Sequence, residues 1–169
     1  MCRLRRMDRG KTMFNVSDKI AHPMHGAGII EKIEERKVGG ITRSYYLMTI
    51  RGGMTVMIPV ENSEAVGARH ICAPGVAEEL MGAISGLDVT MTANWNRRYR
   101  ENMQRIKSGD IYEVARVVKG LMAREAERGL STGERKMLHS AKQILISELV
   151  LSLDESYEEV ETRLNTAMA

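Results

Sequence analysis

From Phe14 to about Val60, apolar and polar residues alternate with a period of two, which sends successive side chains to opposite faces of a strand. "MFNVSDKIAH" carries Phe14, Val16 and Ile20 in this rhythm and "AGIIEKIEE" repeats it. "RSYYLMTI" and "MTVMIPV" add the aromatic and branched residues that strands favour. Between them, "PMHGAG", "KVGG" and "RGG" supply the glycines that turns with positive φ require. Four or five short strands in so little chain predict a small, strongly bent antiparallel sheet or barrel, with Pro59 suited to an edge.

Near residue 75 the period changes to that of helices. "VAEELMGAI" predicts a short first helix, and a second is expected from about Asn94 to Lys107, stopping at Ser108-Gly109. A third is expected from Asp110 to Gly129, with Glu113 as capping-box partner and Ile111, Val114, Val118, Leu121 and Met122 on one stripe. Ser131 and Glu134 open the fourth as a capping box, turning Leu138, Ala141, Ile144, Leu145 and Leu149 inward. The last is expected to open at Ser152 with Glu155 three residues on, placing Leu153, Tyr157, Val160 and Leu164 on one face. The fold class is therefore α+β, with a β module over residues 13–68 and an all-α module of about five helices over 75–169. Residues 1–12, "MCRLRRMDRGKT", fit neither pattern and are read as a disordered basic leader without an essential role, Met13 being an alternative natural start.

Charge divides the chain further. The formal net charge is +3, of which the leader contributes +4. Residues 13–93 carry −2, residues 94–142 carry +6 and residues 143–169 carry −5. A basic block confined to one helical stretch fits a polyanion, although ordinary solvated helix faces would show the same pattern. Hydrophobic residues make up 43% and charged residues 28%, the proportions of a globular chain. No run approaches the ~18 apolar residues of a membrane span, and no apolar segment follows the leading arginines, so a cytoplasmic location is expected. Cys2 and Cys72 cannot build a disulfide framework, and neither belongs to a CxxC pair.

Catalytic and metal chemistry find little purchase. His22 and His25 in "HPMHGAG" lack a nearby carboxylate or cysteine to complete a metal site, which favours a structural turn. "GAGIIE" is not a dinucleotide fingerprint, and the carboxylates of "SELVLSLDESYEE" spread over a helix face. No enzyme, cofactor, metal or small-molecule substrate is expected. Attention falls instead on "TANWNRRYRENMQ", which sets Trp95, the only tryptophan, beside Arg97, Arg98 and Arg100. Spacing puts Trp95 in line with Tyr99, Met103 and Ile106 and so favours a core residue. An apolar wedge flanked by arginines is the competing reading, since such wedges open base steps from the minor groove. The connection between the third and fourth helices has the outline of a helix-turn-helix, but "TGERKMLHSAKQIL" offers few base-reading side chains beyond Lys142 and Gln143.

The segments "NWNRRYRENM", "SGDIYEVARVV", "ERGLSTGERKML" and "AKQILISEL" resemble the C-terminal domain of CarD-type (CarD/CdnL) bacterial transcription regulators. "FNVSDKIAHPMHGAGIIEKIEE" and "MIPVEN" resemble the N-terminal domain of the same proteins, which is shared with the transcription-repair coupling factor. The resemblance covers residues 13 to about 155. It implies a Tudor/SH3-like N-terminal barrel that binds the RNA polymerase β subunit, and a helical domain that contacts promoter DNA at the upstream bubble edge without reading a strict sequence. It further implies that Trp95 is a minor-groove wedge stabilising the open complex, with Arg97, Arg98, Arg100 and Arg135 on the DNA backbone. On the β module it implies polymerase contacts at Arg36, Val38 and Met57. Met57 is a departure, because the family carries an arginine there, and the leader has no counterpart. A monomer associated with the nucleoid is the corresponding expectation. Two other readings stay open: a polymerase adaptor with a merely structural helical part, and a sequence-specific helix-turn-helix regulator.

Overall fold

A computed structural model describes residues 14–169, so the expected leader lies outside the described residues. The first part is an antiparallel sheet of five strands: β1 (Lys19–His22), β2 (Gly26–Val38), β3 (Ile41–Thr49), β4 (Thr55–Pro59) and β5 (Arg69–His70). Their order is β4-β3-β2-β1-β5, which leaves Pro59 on an edge strand as its missing N–H requires. Inside the bend sit Phe14, Ile20, Ile30, Tyr46, Met48 and Ile58. Tyr46 fills two needs at once: its ring meets Phe14 edge-on at 5.5 Å, and its hydroxyl accepts a hydrogen bond from the Phe14 N–H at 3.1 Å.

β2 and β3 outgrow the sheet. β1 pairs β2 only over Gly26–Ile29, and β4 pairs β3 only over Tyr45–Thr49, so the far halves of β2 and β3 pair with each other alone. The ribbon turns at Gly39-Gly40, where both φ angles are positive, +59° and +80°. Such a two-residue turn matches the twist of the strands it joins and excludes most side chains. A register shift between Ile30 and Lys32 interrupts the alternation, which is why "AGIIEKIEE" does not keep one face buried throughout.

Alternation misled at "FNVS". β1 begins only at Lys19, and Val16 is exposed, because Asp18 accepts from the Asn15 N–H at 2.8 Å and Ser17 takes φ +75°. A side-chain-closed turn outcompetes the strand there. β5, two residues long, is too short to leave a period.

The second part comprises α1 (Pro74–Ala83), continued by a 3-10 turn at Ile84–Gly86, then α2 (Trp95–Lys107), α3 (Ile111–Arg128), α4 (Thr132–Leu153) and α5 (Tyr157–Met168). Leu80, Ile84, Val118, Leu121, Leu145, Leu149 and Leu164 lie in their common core. The residues expected to start helices do so at Asn94, Asp110 and Ser131, each accepting a backbone N–H. Glu113 differs from expectation: it pairs with Arg116 and Arg105 rather than capping α3. The α4–α5 break also lies further on than expected. Ser152 stays inside α4 as a buried group donating to the Cys72 carbonyl at 2.7 Å. Asp154 stops the helix in the left-handed region at φ +54°, and Ser156 with Glu159 forms the capping box of α5.

α4 also clasps the sheet. Arg69 on β5 meets Glu148 through two bonds of 2.6 and 3.0 Å, and its guanidinium donates again to the Gly109 carbonyl at 2.9 and 2.7 Å. Glu148 additionally accepts the Cys72 N–H at 2.9 Å, while Ser147 accepts the Ala27 N–H at 2.8 Å. Gly26 allows the approach: with φ +83°, an added Cβ would stand 2.5 Å from Ser147 Oγ. Removing the Glu148 carboxylate strands a cation and a backbone donor together. Glu148→Ala is expected to lower unfolding stability by about 2–3 kcal/mol, discounted from the fully buried case because Arg69 is partly solvated. Urea denaturation of the two proteins side by side measures it.

Candidate nucleic-acid interface

Asn94 sets this site by starting α2, its side chain accepting the Arg97 N–H at 2.9 Å. The cap fixes Trp95 as the first helical residue, and the turn of about 100° per residue distributes its successors around the axis. Arg98, Asn102 and Ile106 point inward, Trp95 and Tyr99 lie at the margin, and Arg97 and Arg100 face water. The Trp95 and Tyr99 rings stack with centroids 5.4 Å apart and planes 23° from parallel. Beneath them passes the first turn of α4, where a Cβ on Gly133 would touch both rings at 3.7 Å. The indole N–H donates to Ser131 Oγ at 3.0 Å. Trp95 is nonetheless 43% exposed, so the core placement favoured by spacing does not hold.

Arg98 requires a correction. Expected on the DNA backbone, it is 2% exposed and committed internally. Its Nε donates to Glu134 Oε1 at 2.7 Å, and Nη1 donates to the carbonyls of Thr92 and Ala93 at 3.1 and 2.9 Å. Glu134, equally buried, accepts the backbone N–H and the hydroxyl of Ser131 on its other oxygen. Burial pushes the Glu134 carboxyl up, but the Arg98 guanidinium and the Ser131 donors outweigh it and the net displacement is downward. A buried guanidinium satisfied this way is unavailable to phosphate.

The outer cations are more open. Arg97 leans on Glu101 at 2.8 Å with its side chain 68% exposed. Arg100 and Arg135 are exposed and, among the described residues, have no carboxylate within ion-pair distance. Elsewhere the basic block is thinned: Arg116 is paired with Glu113, and Lys119 donates to the carbonyls of Ser85 and Leu87 at 2.8 and 3.1 Å. Exposed charge remains at Arg97, Arg100 and Arg135 near the starts of α2 and α4, and also at Lys107, Arg128 and Lys136.

A second surface lies on the outer face of the sheet and runs onto the ribbon. Register aligns Lys32, Leu47 and Met57 across three strands. Counting by twos along β2 brings Arg36 and Val38 to the same sheet face as Met57, opposite the Tyr46 and Ile58 core. Arg36 is partly held by Glu34 at 3.0 Å, and Val38 and Met57 are exposed. His22 and His25 form a turn, His22 Nδ1 accepting the Met24 N–H at 3.1 Å. Among the described residues no group of three or more side chains suits a metal ion.

Sequence reasoning missed the second duties of Ser131 and Glu134. Their capping box was readable three residues apart, but Arg98 and Trp95 each reach them from 36 residues away, and no local signal announces that.

Two family models match the chain, the CarD-like/TRCF RID domain over residues 14–70 and the CarD C-terminal domain over residues 79–165. Over 138 residues the chain is 38% identical to "Putative transcription factor YdeB" of Bacillus subtilis (strain 168), a match that spans 81% of this chain and 90% of that one.

Arg97 and Arg98 make a sharp pair of substitutions. Arg98→Ala leaves buried Glu134 with only the more distant Arg124 at 3.9 Å as a cation and is expected to cost about 3 kcal/mol, whereas Arg97→Ala is expected to stay within about 0.5 kcal/mol. Thermal and urea unfolding distinguish them. Because the folded Glu134 carboxyl is depressed, its stabilisation is complete above the ordinary carboxylate range and is lost as pH falls through the lowered folded value. Glu134→Gln should accordingly flatten the acid limb of the stability profile.

Proposed function

The chain belongs to the CarD family of transcription regulators, and from that premise we propose a non-enzymatic factor that holds the RNA polymerase β subunit and stabilises the promoter open complex. The outer sheet face, through Arg36 and Val38 on the ribbon and Met57 on β4, contacts polymerase. Trp95 enters the minor groove at the upstream bubble edge, with Arg97, Arg100 and Arg135 on the backbone phosphates.

The observation that carries this reading is the exposed indole at the start of α2, on the same two helix starts that bear the exposed Arg97, Arg100 and Arg135. A tryptophan that served only the core would be covered, and guanidinium groups suit phosphate through their planar fork. An opened, distorted junction offers an unstacked step that intact duplex does not. Trp95 therefore binds the open state more tightly, and the difference in affinity shifts the equilibrium. Tethering to polymerase raises the local concentration, so few phosphate contacts suffice.

Met57 bears on the strength of the tether. A thioether in place of a guanidinium gives an apolar, adaptable contact with no salt-dependent component.

The test is the half-life of open complexes after addition of a competitor. With Trp95→Ala it is expected to fall several-fold, toward the value without the factor. A folded variant that leaves the half-life unchanged would overturn the wedge and favour the adaptor reading. Arg100→Ala and Arg135→Ala should each reduce the logarithmic salt slope of DNA binding by about one, independently of promoter sequence.

A further inference from the structure

We infer that Ser131 is the positioning residue for Trp95: its hydroxyl sets the direction of the indole before DNA is met. The inference rests on the wedge reading above and deepens it.

One oxygen makes three bonds. Ser131 Oγ accepts the Glu134 backbone N–H at 3.2 Å and the Trp95 indole N–H at 3.0 Å, while its own hydrogen goes to Glu134 Oε2 at 3.1 Å. Both lone pairs and the O–H are thus spoken for, which is the full capacity of a hydroxyl. Glu134 passes the other oxygen to Arg98 at 2.7 Å, so a buried charged pair stands behind the serine. The chain Arg98–Glu134–Ser131–Trp95 ends on the only polar atom an indole possesses. Tyr99 covers one face of that ring and Gly133 admits it closely, leaving the remaining surface to water.

A half-exposed tryptophan at the first turn of a helix would otherwise sample several rotamers. Holding it in one removes freedom that insertion would have to remove, the ordinary benefit of preorganisation. Capping α4 does not by itself require an indole partner. The hydroxyl therefore has two separable duties, and residue chemistry can part them. Alanine removes both. Glycine is tolerated at an N-cap nearly as well as serine, yet carries no hydroxyl. Threonine keeps the cap, the acceptor and the donor.

Because Trp95 is the only tryptophan, its fluorescence reports on itself. The experiment measures nanosecond anisotropy of the full chain without DNA, together with open-complex half-life, for wild type, Ser131→Gly, Ser131→Ala, Ser131→Thr and Trp95→Ala, with unfolding curves to confirm folding. Ser131→Gly and Ser131→Ala are expected to increase the fast depolarising component and to shorten the half-life by roughly threefold to tenfold, and Ser131→Thr to restore both. Unchanged indole motion in a folded Ser131→Gly would overturn the assignment. Increased motion with a normal half-life, while Trp95→Ala shortens it, would overturn positioning and leave the wedge standing. A half-life insensitive to Trp95→Ala as well would overturn both, with the fault in the wedge.

Discussion

The ion pair between Arg98 and Glu134 is the constraint on which the α2–α4 end of the molecule depends. Two charges removed from water are costly unless every donor and acceptor finds a partner. Here the carboxylate takes a guanidinium on one oxygen and two serine donors on the other, and the guanidinium also closes on two carbonyls of the incoming loop. A network of that kind contributes more to uniqueness than to stability, because any sliding of α2 along α4 would leave a charge unpaired. It fixes one register for the two helix starts, and the aromatic pair above inherits its position from that register.

Much of this was legible in the chain. The change of period near residue 75, the caps at Asn94, Asp110 and Ser131 and the edge proline were all local signals, and local rules decided them. Two kinds of feature escaped. One is local competition: Asp18 closes a turn where alternation promised a strand, and Asp154 rather than Ser152 ends α4. The other is a partner far along the sequence. Arg97 and Arg98 are neighbours with the same chemistry, yet one turns to water and the other into the core, and the deciding residue is Glu134. Trp95 was ambiguous for the same reason. Spacing described its helix correctly but could not show that the facing turn of α4 covers only part of the ring.

The sheet is similarly economical. Its apolar interior occupies the bent half, which frees the far ends of β2 and β3 to project as a two-stranded ribbon with few burial constraints of their own. That freedom suits a contact surface, where residues answer to a partner and not to a core. Met57 on the neighbouring β4 is likewise not buried, so the fold places little demand on its side chain.

α4 carries consequences beyond its share of the core. Near its start stands the serine that receives the indole, and near its end stand Ser147 and Glu148, which grip the sheet. An unbroken helix rises about 1.5 Å per residue, so these two anchorages are held roughly 24 Å apart by a single stiff rod. On the proposed reading, that rod acts as a caliper. Its two jaws close on the sheet at Ala27, Arg69 and Cys72 and on the indole at Trp95, so the spacing it fixes is one inside the protein. A wedge carried on such a rod would meet the duplex at a set distance from the sheet, with no base needing to be read to place it.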